Sequence, residues 1–233
     1  FVTVQNCGVT LDENGRKVLV TEDIRNGNGR TVKSRYSTPN RVDKIKEPIQ
    51  SIFWIMKDDA LPPLVKITDP RLASILGCTL MTKRSNAENT GAGANLDALV
   101  IEPYANPFRV YPLVEDYEKF KALFDKGVDC YIINTGDYLG KKVTKEVSLG
   151  VIETVVDGKA NFELFGGLPG MEYLPVEGYE VPDMNGEYAE LIRDRMQFRL
   201  DYLKAFNDAN PEHQIPQDAL ESIKTIERFI DVL

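Results

Sequence analysis

Two adjacent lysines stand in a turn that follows a short apolar segment near the middle of the chain. Residues 130–133 are rich in β-branched and aromatic side chains, as in a buried strand, and a glycine-bracketed turn then carries Lys141 and Lys142. Thr144 can cap a helix that runs to about residue 156. Ligands of open α/β sheets usually bind at the loops that follow the strands. The pattern therefore predicts a site for an anionic ligand, and a surface turn with two solvated lysines is the alternative interpretation.

A second group of cations lies in residues 33–41, where cationic and hydroxyl-bearing side chains are mixed. Arginine presents a planar fork of N–H groups that fits a phosphate or a carboxylate bidentately. Arg35 and Arg41 are therefore candidate anion clamps. A solvated loop before a strand explains the same residues.

Two adjacent acids, Asp58 and Asp59, follow an apolar segment over residues 49–56. An uninterrupted apolar run of this length predicts a central strand buried on both faces. Carboxylates after such a strand can bind Mg²⁺ or orient a base, and acids before Leu-Pro-Pro are also common in turns. The sequence supports both interpretations.

These candidate residues must be held by a mixed set of strands and helices. Short alternating segments within residues 1–32, separated by Asn-Gly turns, predict antiparallel hairpins. Capping residues predict a short helix that begins after Asp69 and has Gly77 just past its end. Residues 165–183 contain too many glycines and prolines for regular structure, so we expect an ordered arm packed on the body. Apolar spacing predicts further helices over residues 114–126, 188–203 and 216–233. The result is a mixed α/β fold, with helices flanking a mixed sheet and a helical carboxyl terminus.

Charge and composition argue against several classes of function. The chain of 233 residues has a formal net charge of -8 and no long block of Lys or Arg, whereas nucleic-acid binders need a basic face. No apolar run is long enough to cross a membrane. The three cysteines, Cys7, Cys78 and Cys130, have no Cys-x-x-Cys spacing, so we expect reduced thiols in a cytoplasmic protein. His213 is the only histidine and, between Pro211 and Pro216, is most simply a loop residue, so we expect neither a His-based triad nor a histidine zinc site.

Several landmarks, in order along residues 1–165, resemble those of the carboxyl-terminal part of the phosphoenolpyruvate carboxykinases. These enzymes interconvert oxaloacetate and phosphoenolpyruvate with a nucleotide. The first landmark is Arg35-Tyr-Ser37-Thr-Pro39, which is similar to the family's Arg-x-Ser-x-Pro, and the second is the predicted strand and acids of residues 52–59 with Leu61-Pro-Pro. The next two are Gly77-Cys-Thr79 with Ala87-Glu88, and Glu102-Pro with Pro107-Phe108. The last is Asn134-Thr-Gly136, followed by a basic residue at Lys142 and a hydroxyl at Ser148.

The resemblance implies roles for three residues. Arg35 would contact the transferred phosphoryl group, and Lys142 and Ser148 would lie against the nucleotide base and ribose. The implied nucleotide is ATP or GTP, the implied substrates are phosphoenolpyruvate and oxaloacetate, and Mg²⁺ or Mn²⁺ is expected from an amino-terminal half of the protein. No metal ligand is implied in this chain. Residues 1–165 would form an incomplete nucleotide-binding lobe, and residues 166–233 an arm and two helices packed on it.

The sequence also departs from the family pattern. Lys142 stands where the family usually has arginine, and lysine cannot reproduce a planar, bidentate fork. Asp137 takes a position that is often aromatic and would place a negative charge near the nucleotide. The chain starts at Phe1 and has no G-x-x-x-x-G-K-[ST] phosphate loop, so we expect a domain of a longer protein that is inactive alone.

The leading expectation is thus the carboxyl-terminal domain of a carboxykinase-like phosphotransferase. The alternatives are a non-catalytic nucleotide-binding or regulatory module and a protein-interaction domain on the same scaffold.

Overall fold

The computed structural model describes residues 2–5, 8–20, 30–33, 36, 44–83, 98–106 and 109–233. The chain divides into two compact units. One unit comprises Phe1–Pro48 with Lys83–Ala98, and the other comprises Ile49–Thr82 with Leu99–Leu233. The larger unit contains Lys142, Ser148 and the whole of residues 166–233. Arg35 belongs to the smaller unit and lies outside the described residues.

In the part of the smaller unit that the structure describes, the strands form two antiparallel pairs. Strand β1 (Val2–Gln5) pairs with β4 (Arg30–Lys33), and β2 (Gly8–Leu11) pairs with β3 (Lys17–Val20). The carboxylate of Asp12 accepts hydrogen bonds from the backbone N–H groups of Asn14 and Arg16, at 2.9 and 2.8 Å, and so closes the turn between β2 and β3. The predicted hairpin over these residues is confirmed, and the second predicted turn, at residues 26–29, lies outside the described residues.

The larger unit is built on a five-stranded mixed sheet with helices beside it, which confirms the predicted fold class. Its strands are β5 (Ser51–Met56), β6 (Leu64–Ile67), β9 (Asp129–Asn134), β12 (Glu163–Leu164) and β13 (Met171–Tyr173). The order across the sheet is β12, β13, β6, β9 and β5, and only the β9–β5 pair is parallel. Two two-stranded sheets among the described residues pair β7 (Met81–Lys83) with β8 (Leu99–Ile101) and β10 (Asp137–Tyr138) with β11 (Lys141–Lys142).

The described residues contain five α-helices, which follow the predicted order along the chain. They are α1 (Pro70–Cys78), α2 (Leu113–Phe124), α3 (Lys145–Val156), α4 (Gly186–Ala209) and α5 (Gln217–Ile230), with a short 3-10 helix at Pro103–Ala105. Helix α1 packs against α2 and α5, and α5 packs against α4. Among the described residues, no helix combines the length and apolarity needed to cross a lipid bilayer.

Strand β9 is buried on both faces of the sheet, as its composition predicts. Cys130 and Ile132 face the main core, while Tyr131 and Ile133 join a second apolar cluster with Val151 of α3. The side chains alternate between the two clusters because successive residues of a strand point to opposite faces. Helix α3 therefore supplies the cover that allows four consecutive apolar residues in one strand.

The prediction that residues 49–56 form a central strand is wrong. Within the described residues, β5 pairs only with β9 and ends the sheet. Trp54 and Met56 are buried, but the Ile55 side chain between them is 64% exposed. An apolar run cannot distinguish a central strand from an outer one, because the position of a strand depends on pairings that are remote in sequence.

The predicted start of α1 is confirmed and its predicted end is wrong. Asp69 caps the helix by accepting hydrogen bonds from the backbone N–H groups of Arg71 and Leu72. Gly77 lies inside the helix, and Thr79 follows its last residue. A Cβ atom at Gly77 would overlap the ring of Tyr104 and lie 3.1 Å from the Trp54 ring. Glycine is thus required here by close packing and not by helix termination.

The residue 165–183 arm is mostly irregular, as expected, with one short regular element. Residues Met171–Tyr173 form β13, which lies in the main sheet between β12 and β6. Backbone hydrogen bonds of Leu168 to Phe165 and of Tyr179 to Val176 close tight turns on either side of this strand.

The packing at Gly77 predicts opposite effects for alanine at two helical glycines. Gly77→Ala forces the Tyr104 ring to move, although that ring is fixed by hydrogen bonds of its hydroxyl to Ser74 and Cys78. Overpacking of this kind costs about 1–3 kcal/mol, which exceeds the gain in helix propensity. Gly150→Ala in α3 meets open space and should raise the free energy of unfolding by about 0.5–1 kcal/mol. Denaturant unfolding of both variants measures the difference. A Gly77→Ala variant that is more stable than the wild-type chain would contradict the close packing of Gly77 on Tyr104.

Candidate functional site

The two parallel strands of the sheet end side by side. Met56 of β5 is paired in register with Asn134 of β9, and the backbone N–H of Thr135 donates to the carbonyl oxygen of Met56 at 2.9 Å. The loops that follow both strands therefore start from the same edge of the sheet. This is the edge at which open α/β sheets bind ligands.

The side chain of Asn134 joins these loops. It is fully buried, and its Nδ2 donates to the carbonyl oxygens of Asp58, Leu61 and Asp137, at 2.8, 2.7 and 2.9 Å. Its Oδ1 accepts from the backbone N–H of Gly136 at 2.9 Å. An amide has two N–H donors, so two of the three carbonyl groups share one of them. The loops after β5 and β9 are thus tied to one side chain.

Asp58 is held by two arginines of α4. Its Oδ2 accepts from Nη2 of Arg199 at 3.1 Å, and its Oδ1 accepts from Nε of Arg195 at 3.3 Å and from the backbone N–H of Ala60 at 3.1 Å. Asp58 and Arg199 are each 1% exposed. Burial lowers the pKa of the Arg199 guanidinium, and the ion pair with Asp58 acts in the opposite direction. The two charges form a buried pair that links α4 to the loop after β5.

Asp59 lies at the solvent-facing end of the same cluster. Its carboxylate accepts from Nη2 of Arg195 at 2.7 Å. Both acids of the Asp58-Asp59 sequence are therefore engaged by arginine, and the backbone bond from Ala60 makes Asp58 the organising residue of a turn. In the described part of the chain, no three His, Cys, Asp or Glu side chains come together as metal ligands. The geometry favours turn chemistry over a Mg²⁺ site for this pair of acids.

The turn between β10 and β11, residues 137–142, carries the two lysines. Leu139 and Gly140 have positive φ angles of 46° and 79°, the combination that closes a two-residue hairpin with the twist of its strands. The backbone N–H of Leu139 donates to the Asp59 carbonyl at 3.0 Å. A Cβ atom at Gly136 would lie 3.2 Å from the Cβ of Lys57, so glycine allows the turn to pack closely on the loop after β5.

The two predicted base-contacting residues lie on either side of the cap of α3. Lys142 is exposed, and its Nζ donates to the carbonyl oxygen of Thr135 at 3.3 Å. Ser148 is half-buried in the first turn of α3, and its hydroxyl donates to the carbonyl oxygen of Thr144 at 3.1 Å. Thr144 caps the helix through the backbone N–H of Val147 at 3.3 Å, which confirms the predicted cap.

Asp137 is the cross-strand partner of Lys142 in the β10–β11 hairpin. A carboxylate therefore belongs to the same small surface as the lysine. Arg35 itself lies outside the described residues. The structure thus brings two of the three predicted site residues into one loop and helix start.

The two described cysteines do not contribute to this surface. Cys78 and Cys130 are buried thiols, and burial raises the pKa of Cys78 to about 12. Such thiols remain protonated near neutral pH and are poor nucleophiles. Cys7 lies outside the described residues.

Sequence reasoning missed the two arginines of α4. Arg195 and Arg199 stand on the same stripe as the buried residues Ile192, Met196 and Leu200. A charged residue on an apolar helical stripe is buried with a partner when it is buried at all. The signal was present in the sequence, but the partner is about one hundred and forty residues away and could not be identified from spacing.

The buried pair predicts a large effect on stability. Arg199→Met keeps the length of the side chain but leaves Asp58 with only the longer contact to the partly exposed Arg195, so the free energy of unfolding should fall by up to about 3–5 kcal/mol. Arg228→Met is the matched control, because Arg228 pairs with Glu221 on the surface and its loss should cost less than about 1 kcal/mol. Urea unfolding of both variants measures the difference. Equal values would show that the Asp58–Arg199 pair does not hold the loop.

No protein-family model matches this chain, and no curated protein matches it. The resemblance to the phosphoenolpyruvate carboxykinases therefore depends on the ordered landmarks of the sequence itself.

Proposed function

We propose that this chain is the carboxyl-terminal domain of a nucleotide-dependent, carboxykinase-like phosphotransferase. In this proposal the segment from Asn134 to Ser148 forms the wall against which the nucleotide base and ribose lie. The supporting observation is the position of that segment. It begins where the parallel strands β5 and β9 end together, and it finishes in the first turn of α3.

The hydrogen-bonding capacity of the wall suits a nucleotide. Lys142 uses one of its three ammonium N–H groups on the Thr135 carbonyl, which leaves two for a ligand. Ser148 donates its hydroxyl proton to Thr144, so its oxygen remains able to accept a hydrogen bond from a ribose hydroxyl or a base N–H. Both groups are available without disturbing the turn.

The local charge also suits an anionic ligand. The negative charges of Asp58 and Asp59 are paired with the positive charges of Arg195 and Arg199, so this cluster has no net charge. Lys57, Lys141 and Lys142 then outnumber Asp137 in the two loops. A chain with a net charge of -8 thus has a local excess of positive charge at this edge of the sheet.

Catalysis of phosphoryl transfer would depend mainly on electrostatic stabilisation of the charge on the moving group. The resemblance implies that Arg35 would clamp the moving phosphoryl group. The donor of that group would be ATP or GTP in complex with Mg²⁺ or Mn²⁺. The acids of this site are engaged by arginine, so in this proposal the metal ligands come from outside the loops after β5 and β9. The three-carbon substrates would be phosphoenolpyruvate and oxaloacetate.

A second candidate function is a non-catalytic nucleotide-binding or regulatory module. The observation that favours it is the pairing of Asp137 with Lys142 across the hairpin. This pairing sets a carboxylate opposite the cation that would face the nucleotide. Such a site would bind a nucleotide weakly and without Arg35 taking part.

The proposal predicts that nucleotide raises the thermal stability of the chain through Lys142. A ligand that binds only the folded state, at ten times its Kd, raises the free energy of unfolding by about 1.4 kcal/mol. We expect millimolar ATP or GTP to raise the melting temperature of the wild-type chain, and Lys142→Ala to lose most of that shift. Lys145→Ala is the matched control, because Lys145 is an exposed lysine three residues away whose nearest ionic partner is Glu146.

Further variants separate the two candidate functions. Lys142→Arg should strengthen nucleotide binding, because a planar guanidinium can stack on a base and a lysine cannot. Arg35→Ala should weaken binding of ATP or GTP only if this chain clamps the phosphates. An unchanged shift in Arg35→Ala would support the regulatory module. A chain that responds to neither nucleotide, or a Lys142→Ala variant that responds like wild type, would contradict the base-binding wall.

A further inference from the structure

The irregular arm of residues 165–183 contacts the turn of residues 137–142, called the lysine turn below, at both of its lysines. The hydroxyl of Tyr179 donates to the carbonyl oxygen of Lys142 at 2.5 Å. The Nζ of Lys141 donates to the carbonyl oxygen of Gly178 at 2.5 Å and lies 4.6 Å from the centre of the Tyr179 ring. One residue of the arm therefore binds the backbone of the turn and also packs against a side chain of the turn.

The peptide group between Lys142 and Val143 is held on both sides. Its carbonyl oxygen accepts from Tyr179, and its N–H donates to the carbonyl oxygen of Gly136 at 2.9 Å. A peptide group that is bonded at both ends cannot rotate without breaking one of the two bonds. The direction in which Lys142 leaves the backbone is fixed by this arrangement.

Tyr179 is itself held firmly. Its side chain is 6% exposed, and its backbone N–H donates to the Val176 carbonyl at 3.0 Å. The adjacent Gly178 has a φ of 78°, and its N–H donates to the carboxylate of Glu180 at 2.8 Å. The hydroxyl thus comes from an ordered turn and can act as a fixed support.

We infer that Tyr179 is a positioning residue of the nucleotide site. This inference depends on the proposed function and adds to it, because it assigns part of the site to a segment that has no family landmark. Asn134 fixes the turn at its beginning, and Tyr179 fixes it at its end. A wall that is fixed at both ends binds a rigid ligand with less loss of conformational entropy than a mobile wall.

The test uses Tyr179→Phe, which removes the hydroxyl and keeps the ring beside Lys141. The first readout needs no ligand. Loss of the bond to the Lys142 carbonyl frees the peptide group on one side, so the amide hydrogen of Val143 should exchange about tenfold faster. The second readout is nucleotide affinity by calorimetry, which should be about tenfold weaker because the turn is no longer preorganised.

Tyr173→Phe is the matched control. The Tyr173 hydroxyl binds the Glu163 carboxylate at 3.1 Å and makes no contact with the turn among the described residues. Neither the exchange rate of Val143 nor the nucleotide affinity should change in this variant. A general loss of stability would appear as faster exchange throughout the sheet. The pattern of exchange therefore distinguishes a local effect at Val143 from a global one.

A double variant tests whether Tyr179 acts through Lys142. If it does, Tyr179→Phe should have little further effect on nucleotide affinity in a Lys142→Ala background. Fully additive losses would overturn the positioning role, as would unchanged Val143 exchange in Tyr179→Phe. If the wild-type chain binds no nucleotide, the proposed function fails and so does the role of Tyr179 in a nucleotide site. The exchange experiment then decides separately whether the hydroxyl holds the turn.

Discussion

The buried amide of Asn134 is the interaction on which the candidate site depends. Hydrogen bonds of this one side chain reach two points of the loop between β5 and β6 and the first residues after β9. A buried amide that lost any of these partners would carry the full cost of desolvation, about 1–3 kcal/mol for each group. The loops therefore have one low-energy arrangement, and the position of the lysine turn follows from it.

The Asp58–Arg199 pair extends this constraint to helix α4. The backbone carbonyl of Asp58 accepts a hydrogen bond from Asn134, and the side-chain carboxylate of Asp58 binds Arg199. Asp58 therefore links helix α4 to the loops that Asn134 holds. The hydroxyl of Tyr188 adds a second link by donating to the Ala60 carbonyl at 2.9 Å. Buried ion pairs contribute little net stability when compared with apolar packing, but they tolerate only one geometry. We interpret the pair as a source of precision for the site.

The sequence predicts those parts of the molecule that depend on near neighbours. The caps at Asp69 and Thr144 were predictable because a cap and its helix are within four residues of one another. The outer position of β5, the packing of Gly77 on Tyr104 and the partner of Arg199 were not, since each depends on a contact between distant segments. For the same reason Lys142 and Ser148 were identifiable as candidates, whereas their supports were not.

The residues that support the candidate site lie outside the segment that carries the sequence landmarks. All of the landmarks lie before residue 166, yet Tyr179, Arg195 and Arg199 hold the loops that carry Lys142 and Asp58. A ligand-contacting residue can be read from a short motif because its chemistry is its own. A supporting residue acts through geometry, so any side chain that reaches the same backbone group can serve. The motif of the candidate ligand-contacting residues therefore carries no information about the supporting segment, and the precision of the candidate site depends on the part of the chain with no recognisable motif.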